Sequence, residues 1–159
     1  MLGYDVCAGE EASRLCELTP LETLLRESDI VSLHCPSTAE NRHMIGRETI
    51  AKMKPGAMLV NTARGDLIDT MALVDALEAG QIGAAALDVI ENEYGLYYVN
   101  HMGEAMANRE LALLSAFPNV IVAPHTAFYT DASVADMARC TVEACRAFEC
   151  GEAYAYEVR

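Results

Sequence analysis

An α/β fold built on a doubly wound parallel sheet is what this sequence predicts, and three observations predict it. Short apolar runs alternate with helical patterns along the chain. The helical patterns carry their own start and stop signals. Polar residues able to do chemistry recur just after the apolar runs, at the strand ends where open α/β sheets bind ligands. At 159 residues, with 52% hydrophobic and 22% charged, the chain has the size and composition of one globular domain.

Residues 1–6 read as a strand. Thr19-Pro20-Leu21-Glu22 combines an N-cap, a proline at the first helical position and a glutamate three residues after the cap. The helix it opens runs through Leu24-Leu25-Arg26 and ends near Asp29. Residues 30–35 follow as a buried strand, and residues 47–54 as a helix stopped by Pro55-Gly56. Residues 57–62 form the next strand. Asp69 caps a helix over residues 70–79, with Gly80 at its C-terminal end. Residues 84–89 are a strand rich in small side chains. Residues 90–107 form the longest stretch without periodicity, and a loop of that length is more often functional than idle. A short helix over residues 110–116 leads through Pro118-Asn119 to a strand at residues 120–123. From Asp131 to Phe148 apolar residues recur at helical spacing, giving a long amphipathic helix. Five strands in one open sheet are expected.

Charge narrows the function. A net charge of −13, from 24 acidic against 11 Lys and Arg residues, repels nucleic acid and anionic membranes. No apolar run approaches the ~20 residues that cross a bilayer, and Met1-Leu2-Gly3-Tyr4-Asp5 does not resemble a signal peptide. A cytoplasmic protein is expected. Cys7, Cys16, Cys35, Cys140, Cys145 and Cys150 form no C-x-x-C pair and no zinc-finger spacing, so reduced thiols are expected and no metal.

The strand-end residues are Asp5, then His34 with Cys35 and Pro36, then Arg64, Asp88 and His125. Each alone is a weak signal, and their shared placement is the stronger one. Arg64 has a planar guanidinium suited to bidentate capture of a carboxylate; its bland alternative is a surface ion pair with Asp66 or Asp69. The Arg64-Gly65-Asp66 string matches an adhesion motif, which a buried strand end cannot display. His125 suits general acid–base work, against a core histidine satisfied by hydrogen bonds. Glu93, five residues after Asp88, would favour the imidazolium if it reached His125. Otherwise Glu91 and Glu93 are a solvated acidic turn. Asp5 fits an acid that bonds ribose hydroxyls at the end of a second strand, or else a turn residue. No Gly-x-Gly-x-x-Gly occurs in the chain; that turn belongs about 20 residues before such an acid, so a truncated start predicts its absence.

Taken together, the stretches Ser28 to Pro36, Met53 to Ala57, Val60 to Gly65, Ala86 to Val89, Pro118 to Ile121 and Pro124-His125 resemble the D-isomer-specific 2-hydroxyacid dehydrogenases. Their order and spacing match over nearly the whole chain. Glu93 is followed by Tyr94-Gly95-Leu96 and a long insertion rather than proline. With His125-Thr126-Ala127-Phe128-Tyr129-Thr130, this is similar to the D-lactate dehydrogenase branch, which includes the vancomycin-resistance dehydrogenases.

The resemblance implies a Rossmann-like NAD-binding domain, incomplete at its N-terminal end, over residues 1–129. Residues 130–159 would be a closing helix and tail that pack back toward a substrate domain. It implies NAD as cofactor, a small 2-oxo acid (pyruvate foremost) as substrate, and a homodimer in the full-length form. By the same resemblance Arg64 holds the substrate carboxylate and polarises its carbonyl. His125 donates a proton as hydride arrives, and Glu93 keeps His125 protonated and oriented. Asp5 binds the adenosine ribose; His34, Cys35, Pro36, Asn41, Thr62 and Ala63 line the cofactor; Asp88 sits near the nicotinamide carboxamide; Phe128 faces the substrate. Without the glycine turn, this polypeptide alone is expected to be a poor enzyme. Three other readings stay open: a non-catalytic NAD-sensing or partner-binding module, a dehydrogenase of another 2-hydroxy acid, and an acidic α/β fold with no active site.

Overall fold

The computed structural model describes residues 1–98, 100, 102, 108–154 and 156. The chain divides into two compact units, Met1–His125 and Thr126–Arg159.

In the first unit the elements run β1 (Leu2–Gly3), α1 (Glu10–Leu15), β2 (Glu17–Leu18), α2 (Leu21–Glu27), β3 (Ile30–Leu33), α3 (Arg47–Ile50), β4 (Ala57–Asn61), a 3-10 turn (Gly65–Leu67), α4 (Thr70–Glu78), β5 (Ile82–Leu87), α5 (Arg109–Ala116) and β6 (Val120–Val122). Strands β3-β4-β5-β6 form one sheet in that order, with every pair parallel. Leu59 and Ile82 at its centre are fully buried, as are Leu25 of α2, Leu73 of α4 and Leu114 of α5.

Helix α4 shows how sequence becomes packing. Asp69 accepts a hydrogen bond from Ala72 N at 3.0 Å, capping the first turn. Gly80 takes φ +71° just past the end. Between these signals Ala72, Leu73, Val74, Ala76 and Leu77 are all buried. Strand β5 starts at Ile82, earlier than the small-residue run suggested. The β4–β5 register skips Gly83, since Ala57 faces Ile82 and Met58 faces Ala84. A Cβ on Gly83 would lie 2.4 Å from the Gly56 carbonyl oxygen, so only glycine admits this bulge.

The N-terminal region departs from expectation. The strand expected over residues 1–6 shortens to Leu2–Gly3 and pairs in parallel with β2 in a separate two-stranded sheet. Among the described residues, the expected five-stranded sheet is therefore four strands plus two. Helix α1 has no buried residue and β2 spans two, so neither leaves a periodic signal in the sequence. The expected Thr19 cap also moves. Pro20 is the N-cap, with φ −57° and ψ 147°, and Thr19 Oγ1 instead reaches the Pro20 carbonyl at 3.3 Å. That extended backbone at Pro20 delays the helix to Leu21.

The second unit is built on α6 (Asp131–Cys150). Thr130 caps it by accepting from Ser133 N at 3.2 Å, and Gly151 at φ +67° ends it. Tyr154 donates its hydroxyl to the Cys140 carbonyl at 3.1 Å, tying the following segment back onto the helix. Among the described residues no helix is long and apolar enough to cross a membrane. The part of the 90–107 loop formed by residues 99, 101 and 103–107, and tail residues 155 and 157–159, lie outside the described residues.

The packing of α4 sets two magnitudes. Leu73→Ala should cost about 2–5 kcal/mol, because a fully buried side chain leaves a cavity. Asp69→Ala should cost about 1 kcal/mol, the loss of one cap. Urea unfolding of both variants checks the ranking.

Candidate active site

Because β3 to β6 are parallel, their carboxyl ends lie along one edge, and the ladder continues past the last strand residues. Asp88 N donates to the Asn61 carbonyl at 2.9 Å, Ala123 N to Leu87 at 2.8 Å, and His125 N to Asp88 at 2.9 Å. These bonds fix the backbone positions of Asp88 and His125.

Arg64 follows β4. Asn61, fully buried, accepts from Ala63 N at 3.0 Å and donates to the Arg64 carbonyl at 2.8 Å. This bracket folds Thr62, Ala63 and Arg64 into one tight turn. The Arg64 guanidinium is exposed and donates to the Ala63 carbonyl at 2.7 Å. Asp66 and Asp69, the acids its bland reading required, are engaged elsewhere. Asp66 accepts from Ser37 Oγ at 2.8 Å, and Asp69 caps α4. Among the described residues Arg64 makes no ion pair.

His125 follows β6, and its Nδ1 lies 2.7 Å from Glu93 Oε1. A carboxylate accepts, so Nδ1 carries the proton in this pair and the ring orientation is set. The other Glu93 oxygen accepts from Ile90 N at 3.2 Å. His125 has φ +52°, a region that costs a side-chain-bearing residue and persists only where surroundings enforce it. Here Tyr98 donates its hydroxyl to the His125 carbonyl at 2.6 Å and reaches that of Pro124 at 3.3 Å. The alternative of a solvated acidic turn therefore fails for Glu93.

It fails for Glu91 too. Glu91 Oε1 lies 2.6 Å from His43 Nε2, Oε2 accepts from Thr70 N at 2.9 Å, and Arg42 stands 3.8 Å away. Burial works to raise the Glu91 carboxyl. The Thr70 and His43 hydrogen bonds and the His43 charge outweigh it, so the net shift is downward. Asn92, at φ +55°, turns the chain between the two glutamates; asparagine tolerates that conformation. Tyr97 has a buried hydroxyl with no hydrogen-bond partner among the described residues. Burial first, then the charges of Glu93 and Asp88, raise its phenol.

The cofactor-side residues divide. His34 Nε2 lies 2.8 Å from Ser32 Oγ. Asn41 organises the turn after it, donating to the Pro36 carbonyl at 2.8 Å and accepting from Thr38 N at 2.7 Å, with Cys35 Sγ at 4.0 Å. Asp88 is buried. Asp5 is exposed two residues past β1, the strand of the separate two-stranded sheet, and accepts from Cys7 N at 2.7 Å. Phe128 belongs to the second unit, where it packs edge-on to Tyr129 with ring centres 6.0 Å apart. Thus the structure joins Glu93 to His125 directly and sets Arg64 at the neighbouring strand end. Asn61, His43, Glu91, Tyr97 and Tyr98 were missed from sequence. The only trace of Glu91 was its place in the same turn as Glu93; nothing local shows that His43 faces it.

Because the folded-state pKa of Glu91 is lowered, its stabilisation is complete above the ordinary value of 4.5 and is lost as pH falls through the lower folded value. The stability gap between wild type and Glu91→Gln should therefore close as pH falls below about 4.5. Urea unfolding across that range checks it.

The sequence model described as D-isomer specific 2-hydroxyacid dehydrogenase, NAD binding domain, matches residues 1–127. An "Aromatic 2-oxoacid reductase" of Clostridium sporogenes is 46% identical over 149 residues, 94% of this chain and 45% of that protein. The D-lactate dehydrogenase of Treponema pallidum is 36% identical over 159 residues, 100% of this chain and 48% of that protein. Its crystal structure superposes with a TM-score of 0.94 at 37% identity, over 99% of this chain and 48% of that one. The D-lactate dehydrogenase of Lactobacillus jensenii, solved with NAD+, gives 0.92 at 36% identity over the same shares. The chain spans about half the length of these relatives. On its fold, its motifs and this match over most of its length, the chain belongs to the D-isomer specific 2-hydroxyacid dehydrogenases and carries their NAD-binding domain.

Proposed function

We propose that this chain is the nucleotide-binding part of an NAD-dependent reductase of 2-oxo acids to D-2-hydroxy acids. The observation that carries the reading is the 2.7 Å contact between His125 Nδ1 and Glu93, at the edge where Arg64 stands without an acidic partner among the described residues. NADH supplies the hydride when bound. Arg64 takes the substrate carboxylate through its planar fork. Glu93 holds the His125 ring so that Nε2 presents a proton to the oxygen of the carbonyl being reduced.

The residues present suit the cofactor in part. Asp5 supplies an exposed carboxylate for ribose hydroxyls, and His34, Cys35, Pro36, Asn41, Thr62, Ala63 and Asp88 sit at or beyond strand ends, where such sheets take nucleotides. The buried Tyr97 hydroxyl, without a partner among the described residues, offers a donor near the charges of Glu93 and Asp88. The chain contains no Gly-x-Gly-x-x-Gly, so no pyrophosphate turn is assigned. The same reading makes the enzyme a cytoplasmic homodimer. Cysteines free of disulfides fit a reducing compartment.

Two substrate classes compete. The D-lactate dehydrogenase relatives favour pyruvate, whereas the 46% identical relative is named for aromatic 2-oxo acids. NADH oxidation by the full gene product, followed with pyruvate and with phenylpyruvate, separates them by kcat/KM. His125→Ala should lower kcat by about 10²–10⁴-fold, the span of general acid–base catalysis, with NADH affinity retained. Arg64→Lys should raise KM for either acid, because an ammonium cannot reproduce bidentate capture. A folded, NADH-binding protein that reduces neither acid would give the lead to the NAD-sensing module.

A further inference from the structure

We propose that Glu91 and His43 form a positioning pair that sets Arg64 against Glu93 and His125, a role that rests on the reductase reading above. Contacts on two sides hold the Arg64 segment. On one side, His43 N donates to the Asp66 carbonyl at 2.8 Å, Ile45 N to Leu67 at 3.0 Å, and Asp69 N to Ile45 at 2.9 Å. The segment after β3 is thereby laced along residues 64–69. On the other side Gly65 lies against the backbone of Ile90 and Glu91, so close that a Cβ on it would stand 2.1 Å from the Ile90 carbonyl carbon and oxygen. The Arg64 turn is thus sandwiched between the segment after β3 and the turn after β5.

The Glu91 side chain closes the sandwich. One carboxylate oxygen meets His43 at 2.6 Å and the other takes the Thr70 N–H at 2.9 Å. A single carboxylate, 13% exposed, therefore bonds to both neighbouring connections. Two residues on, across the left-handed Asn92, Glu93 turns the opposite way to His125. The turn of residues 90–93 carries the clamp on Arg64 at one end and the orienting acid at the other, so their separation is set by one short, conformationally fixed piece of chain. His43 holds φ +54° to reach it, a conformation that surrounding contacts must enforce. Arg42 Nη2, 3.8 Å from the same carboxylate, adds a longer ionic contact from the segment after β3. A group that reaches the substrate only through Arg64 is a positioning residue, and its loss should appear mainly in binding of the 2-oxo acid.

The test uses Glu91→Gln, His43→Gln and the double variant of the full gene product. Each single variant is expected to raise KM for the 2-oxo acid about tenfold with a smaller loss in kcat and NADH affinity unchanged. The double variant is expected to be no worse than either single one, because residues in one contact are non-additive. An unchanged KM, or additive losses in the double variant, overturns the proposal. Amide hydrogen exchange supplies a readout independent of turnover. Exchange at Leu67, Asp69 and Thr70 should quicken in both single variants, while that of β4 and β5 stays as in wild type. Exchange unchanged in the Arg64 segment, or quickened throughout the sheet, overturns it. If the wild-type protein reduces no 2-oxo acid, the reductase reading fails, and the exchange result by itself decides whether the pair fixes this segment.

Discussion

The parallel hydrogen-bond ladder of β3 to β6 is the constraint on which the rest of this molecule depends. Strands running the same way all leave the sheet at one edge, and each must be followed by a connection that returns over a face. Because β4 and β5 are central, with Leu59 and Ile82 fully buried, their register cannot slip without exposing apolar side chains. That fixed register carries beyond the strands. Asn61, Asp88 and His125 are linked by main-chain hydrogen bonds from one strand end to the next. The candidate acid–base group thus inherits its position from the core.

Electrostatics at this edge run against the charge of the whole chain. With a net charge of −13, acids near a cation are expected to neutralise it, yet Asp66 and Asp69 just after Arg64, and Glu91 and Glu93 of the turn packed against Gly65, are bound by other partners. Asp66 is taken by Ser37, Asp69 by the start of α4, Glu91 by His43 and Thr70, and Glu93 by His125. Each carboxylate is committed to a donor, which leaves a guanidinium able to receive an anion from outside. This local arrangement outweighs the global field over the few ångströms that matter for binding.

Backbone strain collects at the same place. His43, Asn92, Tyr98 and His125 are the non-glycine residues with positive φ among those described, and each lies in a connection after β3, β5 or β6. Such conformations cost about 1–3 kcal/mol each and survive where contacts over-determine them. The contacts are visible: Glu91 on the His43 ring, the Tyr98 hydroxyl on the His125 carbonyl, and Asp88 on the His125 amide. The rigid sheet bears the cost of a preorganised rim.

The sequence by itself determined the elements whose signals are local. Asp69 and Gly80 bracket α4 because a cap and a left-handed residue act within one turn, and the apolar runs at Ile30, Ala57 and Val120 mark strands even though Ile30, Met58 and Ile121 on them stay exposed. It also placed Arg64 and His125 at strand ends and Glu93 in the loop five residues past Asp88. Tertiary structure decided whatever depends on residues far apart in the chain. The parallel pairing of Leu2–Gly3 with Glu17–Leu18 involves too few residues to show a period. The Asn61 bracket, the Tyr98 anchor and the Glu91–His43 contact, 48 residues apart, leave no mark in either neighbourhood. Hydrogen bonds between distant side chains are fixed by where the sheet brings its loops, and only the folded chain contains that distance.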